Sequence, residues 1–562
     1  MNTYQKFLRK SYSVRTISDF RDLVYGSEER YGAKTAFFLK DHRIDYRKFK
    51  NDYQSLCTAF LARGYAGKKI AIIGANSYGW ILSYLSAATV GVVVPIDREL
   101  CCEDMVGFMK AANCSALIAD SSVLEEIRPL IRETVAAYST KDDVSRLLEE
   151  GGRQYAGGMQ EIDRMPIRAE ELSILIFTSG TTGSAKGVCL SQKNICANIH
   201  AIAKMVKVNH TRHALSILPL HHTYEATIGH LLLLSAGGCI SYCDGLRYIA
   251  KNIEEYRPST IIAVPRLLDA VLNKIEKSVR KGLPDKYLKH SNDLSFNQLL
   301  RRLPFYVKPI IKRKVKASLG GKLDLLIVGA AAVKPEVVEA FCQLGIKTYQ
   351  GYGLTECAPL LAGNNDFYMN PHSTGLPIHG VEIKIDRPNA EGIGEILAKG
   401  ENIMLGYYND AEATKAAMAG GYFRTGDLGR MDANGFLYIT GRKKNVIVTQ
   451  NGKNIYPEEL ETRLVEESAV AEVLVFGVPD GRGDTAVAAR ILPDLGFISA
   501  FLHGSLSKPS KEDIHKAVQA AVNKVNDRLP TYKRVRTVEI LGKALERTTT
   551  QKIKRYGANI EL

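Results

Sequence analysis

Three things are missing from this 562-residue chain, and each narrows what it can be. No uncharged run has the length and hydropathy of a membrane span; the longest candidate, Ile81 to Ile96, contains Ser, Tyr and Gly and reads as a helix followed by a buried strand. The first ten residues, Met1 to Lys10, hold no apolar core of the kind a secretory leader needs, so none is expected. The ten cysteines form no Cys-x-x-Cys pair, and Cys239 and Cys243 have no histidine partners in a metal pattern. Neither a disulfide framework nor a zinc site is therefore expected, and buried reduced thiols in a cytoplasmic protein are. Repeats and low-complexity tracts are also absent, which excludes solenoids. What remains is ordinary globular composition, 45% hydrophobic and 24% charged, at a length that implies more than one domain.

Charge is plentiful and uneven. The net charge is +15, and between Arg266 and Lys322 fifteen Lys/Arg stand against four Asp/Glu. Within that arm, Phe305 to Ser318 interleaves apolar and basic residues, which suits either a solvated helical face or a helix resting on an anionic membrane. No nucleic-acid-binding motif accompanies the charge, so nucleic acid is not an expected partner.

From Lys69 the chain alternates strand and helix. Strands are expected at Ile70–Ile73, Val92–Pro95 and Ala116–Ala119, with helices at Tyr78–Ala88 and Asp104–Ala111 between them; such alternation predicts helix-covered parallel sheets. A polar, glycine-bearing stretch from Glu149 to Gly158 then leads to Ile174-Leu-Ile-Phe-Thr-Ser-Gly-Thr-Thr-Gly-Ser-Ala-Lys-Gly-Val188. Here a strand ends in a loop of glycines and hydroxyls. Gly180 and Gly183 let backbone N–H groups approach a polyphosphate, Thr178, Ser179, Thr181 and Thr182 add short donors, and Lys186 adds a point charge. A Walker loop is excluded: counted from Gly180, Ala185 stands where its second glycine belongs and Gly187 where its hydroxyl belongs. A P-loop kinase or ATPase is disfavoured accordingly.

The phosphate loop resembles the Thr-Ser-Gly-Thr-Thr-Gly-x-Pro-Lys-Gly signature of the adenylate-forming superfamily, with Ala185 in place of proline. Six more segments follow in the order that superfamily uses. Leu218-Pro-Leu-His-His-Thr-Tyr-Glu225 resembles the segment of fatty acyl-CoA synthetases whose histidine, here His222, gates the acyl pocket. Gly329, Ala330 and Ala331 resemble the adenine-contacting turn, and Tyr352-Gly-Leu-Thr-Glu356 resembles the motif in which Tyr352 and Gly353 meet adenine, Thr355 donates to phosphate and Glu356 ligates Mg²⁺. Thr425-Gly-Asp427 resembles the ribose motif. In Gly441-Arg-Lys-Lys444, Arg442 matches a ribose or phosphate contact and Lys444 the hinge. Thr550-Gln-Lys552 resembles the last motif, with Gln551 where glycine is usual and Lys552 as the catalytic lysine.

The resemblance implies an α/β fold. A large N-terminal domain, 1–442, would have helix-covered sheets and a small antiparallel β subdomain over about 376–440; a small mobile α+β lid, 443–562, would turn at Lys444. It implies an acid–thiol ligase that uses ATP, Mg²⁺ and coenzyme A: a medium- or long-chain fatty acid becomes acyl-AMP with loss of pyrophosphate, then a thioester. The residues alone fit this chemistry, since a carboxylate nucleophile needs no general base and the barrier is the approach of two anions. Alternatives left open are transfer to an acyl carrier protein, a stand-alone adenylation enzyme, and a nucleotide-binding protein without ligase activity. The location expected is cytoplasmic, with peripheral membrane contact through 266–322 as an option; chain length of the acid and oligomeric state are not encoded in any local pattern.

Overall fold

The computed structural model describes residues 2–178, 186–284, 287, 294–448, 453–479, 485–503, 509–547 and 553–555. They group into two compact units, the first formed by Met1–Ile383, Ala398–Phe423 and Asp432–Leu437, the second by Lys384–Leu397, Arg424–Met431 and the chain from Tyr438.

Two large sheets organise the first unit. One has seven strands in the order Gly406–Tyr407, Lys186–Ser191, Leu172–Thr178, Val92–Pro95, Lys69–Ile73, Ala116–Ala119, Ala136–Ser139. The five from Leu172–Thr178 onward are mutually parallel. Their residues are apolar without alternation because helices cover both faces: Val92–Pro95 and Ala116–Ala119 are buried at every position, and helix Tyr78–Val90 is buried along almost its whole length. The second sheet has nine strands, with Lys347–Gly353, Leu325–Val328, Thr260–Ala263, His213–Ser216, Cys239–Tyr242 and Thr35–Phe38 parallel at its centre and antiparallel pairs at both edges. The expected strand–helix alternation is present, with Val92–Pro95 and Ala116–Ala119 where the sequence puts them.

The polar, glycine-bearing stretch Glu149–Gly158 lies mostly within helix Asp142–Ala156. Gly151 explains why a glycine stands there: a Cβ would come 1.9 Å from the carbonyl oxygen of Ser55, so the side-chain-free position lets this helix press against helix Tyr46–Ala62. The cysteines also divide more evenly than expected, with Cys57, Cys114, Cys189, Cys196 and Cys357 buried, four partly covered and Cys101 exposed.

The second unit is α+β. Strands Val470–Pro479 and Thr485–Pro493 pair antiparallel, Val535–Ile540 joins parallel to the latter, and helices Pro457–Val465 and Lys511–Asn526 bury Leu460, Leu464, Val518 and Val522 against them. A further small sheet is built from Glu382–Asp386, Gly394–Lys399, Tyr422–Met431, Met418–Ala419 and Leu437–Arg442, and the boundary between the units falls inside its strands. The architecture is thus α/β, with a large N-terminal part and a smaller C-terminal one. Among the described residues no helix is long and apolar enough to cross a membrane.

Burial sets a pH dependence in the nine-stranded sheet. His213 Nε2 lies 2.8 Å from Ser241 Oγ, whose proton goes to Phe38 O at 2.7 Å, so the ring nitrogen is the donor. Desolvation, helped by the positive charges of Lys322 and Arg43, pushes this imidazole down to about 4. The unfolded chain therefore binds more protons than the folded one below the usual histidine value near 6.5. Stability is lost as pH falls from about 6.5 and levels off below about 4. In urea unfolding, His213→Gln should reduce the loss of stability between pH 7.5 and pH 5 by ~1–2 kcal/mol relative to the parent; an unchanged difference would show that this ring does not carry it.

Candidate active site

In parallel sheets the carboxyl ends of strands open onto the loops where ligands are bound. Three of the sequence-assigned segments leave the nine-stranded sheet at such ends. Strand Leu325–Val328 runs into Gly329-Ala330-Ala331, strand Lys347–Gly353 carries Tyr352 and Gly353 at its tip, and strand His213–Ser216 leads to the turn that bears His222. Tyr224 ties two of them together. Its hydroxyl lies 3.1 Å from Ile327 O and 3.3 Å from Ala263 O, and its ring lies under Gly329, where a Cβ would be 3.2 Å from Cζ. The turn begins at buried Gly329 and reaches exposed Ala331, with Ala330 at φ +69°. Gly353 also needs its lack of a side chain, since a Cβ would meet Pro359 O at 1.9 Å.

His222 sits in ring contact with His221, centroids 4.0 Å apart. His221 is buried 3.6 Å from Asp97, and desolvation pushes it down to about 4, so it is neutral. The backbone N–H of His222 donates to Pro219 O, and Leu220 N donates to Asn76 Oδ1 at 3.0 Å, which fixes the turn.

The phosphate-loop residues Thr178 and Lys186 are paired across an antiparallel ladder, the ends of strands Leu172–Thr178 and Lys186–Ser191. Thr178 Oγ1 donates to Lys186 O at 3.4 Å. Ser179, Gly180, Thr181, Thr182 and Gly183 lie outside the described residues, as does Lys552.

Glu356 belongs to the short turn Thr355–Cys357 that follows strand Lys347–Gly353. Two asparagines clamp this turn. Asn198 Nδ2 donates to Cys357 O at 3.2 Å and Leu360 O at 2.9 Å, and Asn402 Nδ2 donates to the same two oxygens at 3.0 and 2.9 Å. Both asparagines are buried, where an unmade bond would cost the full desolvation of the carbonyl it leaves. Met404 N donates to Glu356 O at 2.8 Å.

Tyr407 then joins Glu356 to Lys186. The Lys186 ammonium stands over the Tyr407 ring at 4.7 Å, and the Tyr407 hydroxyl donates to Glu356 Oε1 at 3.1 Å. Lysine and carboxylate leave different sheets and are brought onto one aromatic residue. Tyr407, Asn198 and Asn402 are absent from the sequence-based assignment. Their only local signals are a Gly-Tyr-Tyr run and two asparagines among apolar residues, which point equally well to a turn and to a helix.

In the second unit, Asp427 and Arg442 form an ion pair, Nε to Oδ1 2.6 Å, with Asp427 buried and Arg442 40% exposed. Gly426 at φ +70° turns the backbone before Asp427, whose N–H donates to Thr425 Oγ1. Lys444 is exposed in the turn Lys443–Asn445. Its neighbours are tethered: Lys443 Nζ to Glu395 Oε2 at 2.8 Å, and Asn445 Nδ2 to Glu458 Oε1 at 2.6 Å. Arg547 pairs with Glu472 at 2.8 Å and bridges to Ile553, while Arg555 pairs with Glu461 and donates to Val475 O at 3.2 Å. Burial pushes the Glu461 carboxyl up to about 7 against the pull of Arg555.

No group of three potential metal ligands occurs among the described residues. One carboxylate nevertheless suits Mg²⁺, a hard ion that keeps several waters and takes its other ligands from substrate phosphates, and Glu356 is the residue that would hold it.

The model of the AMP-binding enzyme family matches residues 26–408, and that of the AMP-binding enzyme C-terminal domain matches 444–560. Long-chain-fatty-acid–CoA ligase 5 of Rattus norvegicus is 27% identical over 522 residues, covering 84% of this chain and 76% of its own. Among solved structures, o-succinylbenzoate CoA synthetase from Bacillus subtilis with its acyl-adenylate intermediate superposes with a TM-score of 0.72 at 22% identity, covering 95% of this chain and 96% of that one. ATP-bound MatB from Rhodopseudomonas palustris gives 0.75 at 21%, covering 96% and 97%. The ordered motifs, two family models and a shared fold converge, and the chain belongs to the AMP-binding enzyme family.

Proposed function

We propose that the chain is an AMP-forming ligase that joins a medium- or long-chain fatty acid to coenzyme A. The observation that carries the reading is the meeting of Lys186 and Glu356 on Tyr407, a cation and a hard carboxylate held on one aromatic residue. The choice of a fatty acid is supported by the Leu-Pro-Leu-His-His-Thr-Tyr-Glu segment and by the rat relative's activity on long-chain fatty acids.

In the first half-reaction a carboxylate oxygen attacks the α-phosphorus of ATP, the bond to the bridging oxygen breaks, and pyrophosphate leaves with its electron pair. Two anions must meet, so the work is positional and electrostatic. Lys186 and the hydroxyls of Thr178, Ser179, Thr181 and Thr182 hold the triphosphate. Thr355 donates to a phosphate oxygen, Gly329 to Ala331 with Tyr352 and Gly353 take the adenine, and Asp427 with Arg442 takes the ribose. When bound at Glu356, Mg²⁺ neutralises phosphate charge. Lys552 spans the substrate carboxylate and the α-phosphate. In the second half-reaction the C-terminal domain turns at Lys444, the coenzyme A thiol attacks the acyl carbonyl, and AMP departs. His222 stands between nucleotide and acyl chain.

Assaying AMP release over acids of increasing length, with coenzyme A present, tests the substrate class. Turnover should peak among medium or long chains, and a preference for aromatic or short dicarboxylic acids would refute it; coenzyme A should outpace a holo acyl carrier protein as acceptor. Lys552→Ala should abolish adenylate formation yet leave thioester formation from supplied acyl-AMP largely intact, whereas equal loss of both would remove Lys552 from its role. Tyr407→Phe keeps the ring beneath Lys186 and deletes the hydroxyl on Glu356, so ATP–pyrophosphate exchange should slow about tenfold, in line with the loss of one charge-assisted hydrogen bond. Glu356→Ala should raise the Mg²⁺ concentration needed for half-maximal exchange, and unaltered Mg²⁺ dependence would count against the ligand assignment.

A further inference from the structure

The described part of the basic arm packs one side of helix Val307–Ser318 inward and turns the other to solvent. Ile311 and Val315, one turn apart, are buried in the core of the first unit. At the head of the outward side, Phe305 is 84% exposed, Tyr306 55% and Ile310 48%. The Phe305 and Tyr306 rings meet edge to face at 5.6 Å, which gives the tip a defined shape. Large apolar side chains that cluster in water are unusual enough to need a partner.

The surrounding charge says which partner. From Arg301 to Lys322 the chain has eight Lys/Arg and no Asp/Glu. Arg301 is engaged by Glu339 at 2.7 Å, but among the described residues Arg302, Lys312, Arg313, Lys314 and Lys316 have no ion-pair partner. Beside the tip, a groove of about 200 Å³ has an apolar floor of Leu300, Leu303, Ile311 and Leu344, with Lys308 and Lys312 on its rim. Aromatic and aliphatic groups at one end of a helix, followed by unpaired cations along it, match the two layers of a bilayer surface: acyl boundary for the tip, phosphate headgroups for the cations.

We propose that this face is a docking surface for an anionic lipid bilayer, with Phe305, Tyr306 and Ile310 entering the acyl boundary and Lys312, Arg313 and Lys314 contacting headgroup phosphates. An acidic carrier protein would use the same cations, but it would not need exposed rings projecting ahead of them. The surface is independent of the catalytic reading, because none of these residues is assigned to the reaction.

Cosedimentation of the full chain with phosphatidylcholine vesicles, with and without phosphatidylglycerol, tests it. The protein should partition onto the phosphatidylglycerol-containing vesicles, weaken with added salt and leave pure phosphatidylcholine largely unbound. Each Lys or Arg near such a surface contributes about a fivefold factor in partitioning. The triple variant K312Q/R313Q/K314Q should therefore bind about a hundredfold more weakly. The variant F305S/I310S should bind about tenfold more weakly while keeping its salt dependence. All five side chains are exposed, so adenylation in detergent-free buffer serves as the folding control and should be unchanged. Equal binding to both vesicle types, unaltered partitioning of both variants, or binding of a soluble holo acyl carrier protein without vesicle binding would overturn the proposal.

Discussion

Under the proposed function Lys186 and Glu356 serve one polyphosphate, which poses a conflict: if they pair with each other, neither serves the ligand. Tyr407 resolves it by coming between them, offering its ring face to the Lys186 ammonium and its hydroxyl to the Glu356 carboxylate. The arrangement depends on the rest of the first unit. Lys186 is fixed by its ladder with Thr178, Tyr407 by the antiparallel pairing of Gly406–Tyr407 with Val188 and Cys189, and Glu356 by a turn that two buried asparagines hold. Three segments far apart in sequence must fold before Lys186 and Glu356 can meet on Tyr407, so the stability of the two sheets and the geometry of the candidate site are one problem.

The asparagine clamp shows how the sheets share that task. Asn198 comes from helix Gln192–Met205, which Ser191 caps at the end of the strand that begins with Lys186, and Asn402 comes from the segment leading to Tyr407. A hydrophobic residue at either place would pack as well but would leave the carbonyls of Cys357 and Leu360 short of donors.

Much of the fold could be read from the sequence because parallel strands covered on both faces write themselves as short apolar runs. Val92–Pro95 and Ala116–Ala119 need no tertiary information to be found. The helix that takes in most of Glu149–Gly158 is harder to see there, because its glycines look like those of a turn, whereas Gly151 marks a contact with Ser55 ninety-odd residues earlier, and a contact at that distance has no local pattern. Of the candidate site, the motif residues could be named in advance because each motif is contiguous. Tyr407, Asn198 and Asn402 could not, since what distinguishes them is the segment they touch. The outward face of helix Val307–Ser318 lies between these cases: its mixture of rings and cations is plain in the sequence, but which residues point outward is decided by Ile311 and Val315 turning in.

The ion pair between Asp427 and Arg442 has a consequence for occupancy. Any hydrogen-bond donor that reached this carboxylate would share it with a guanidinium already seated on Oδ1. The net attraction at that position would then be a small difference between two pulls on one acceptor. The resting protein thus stores its own competitor.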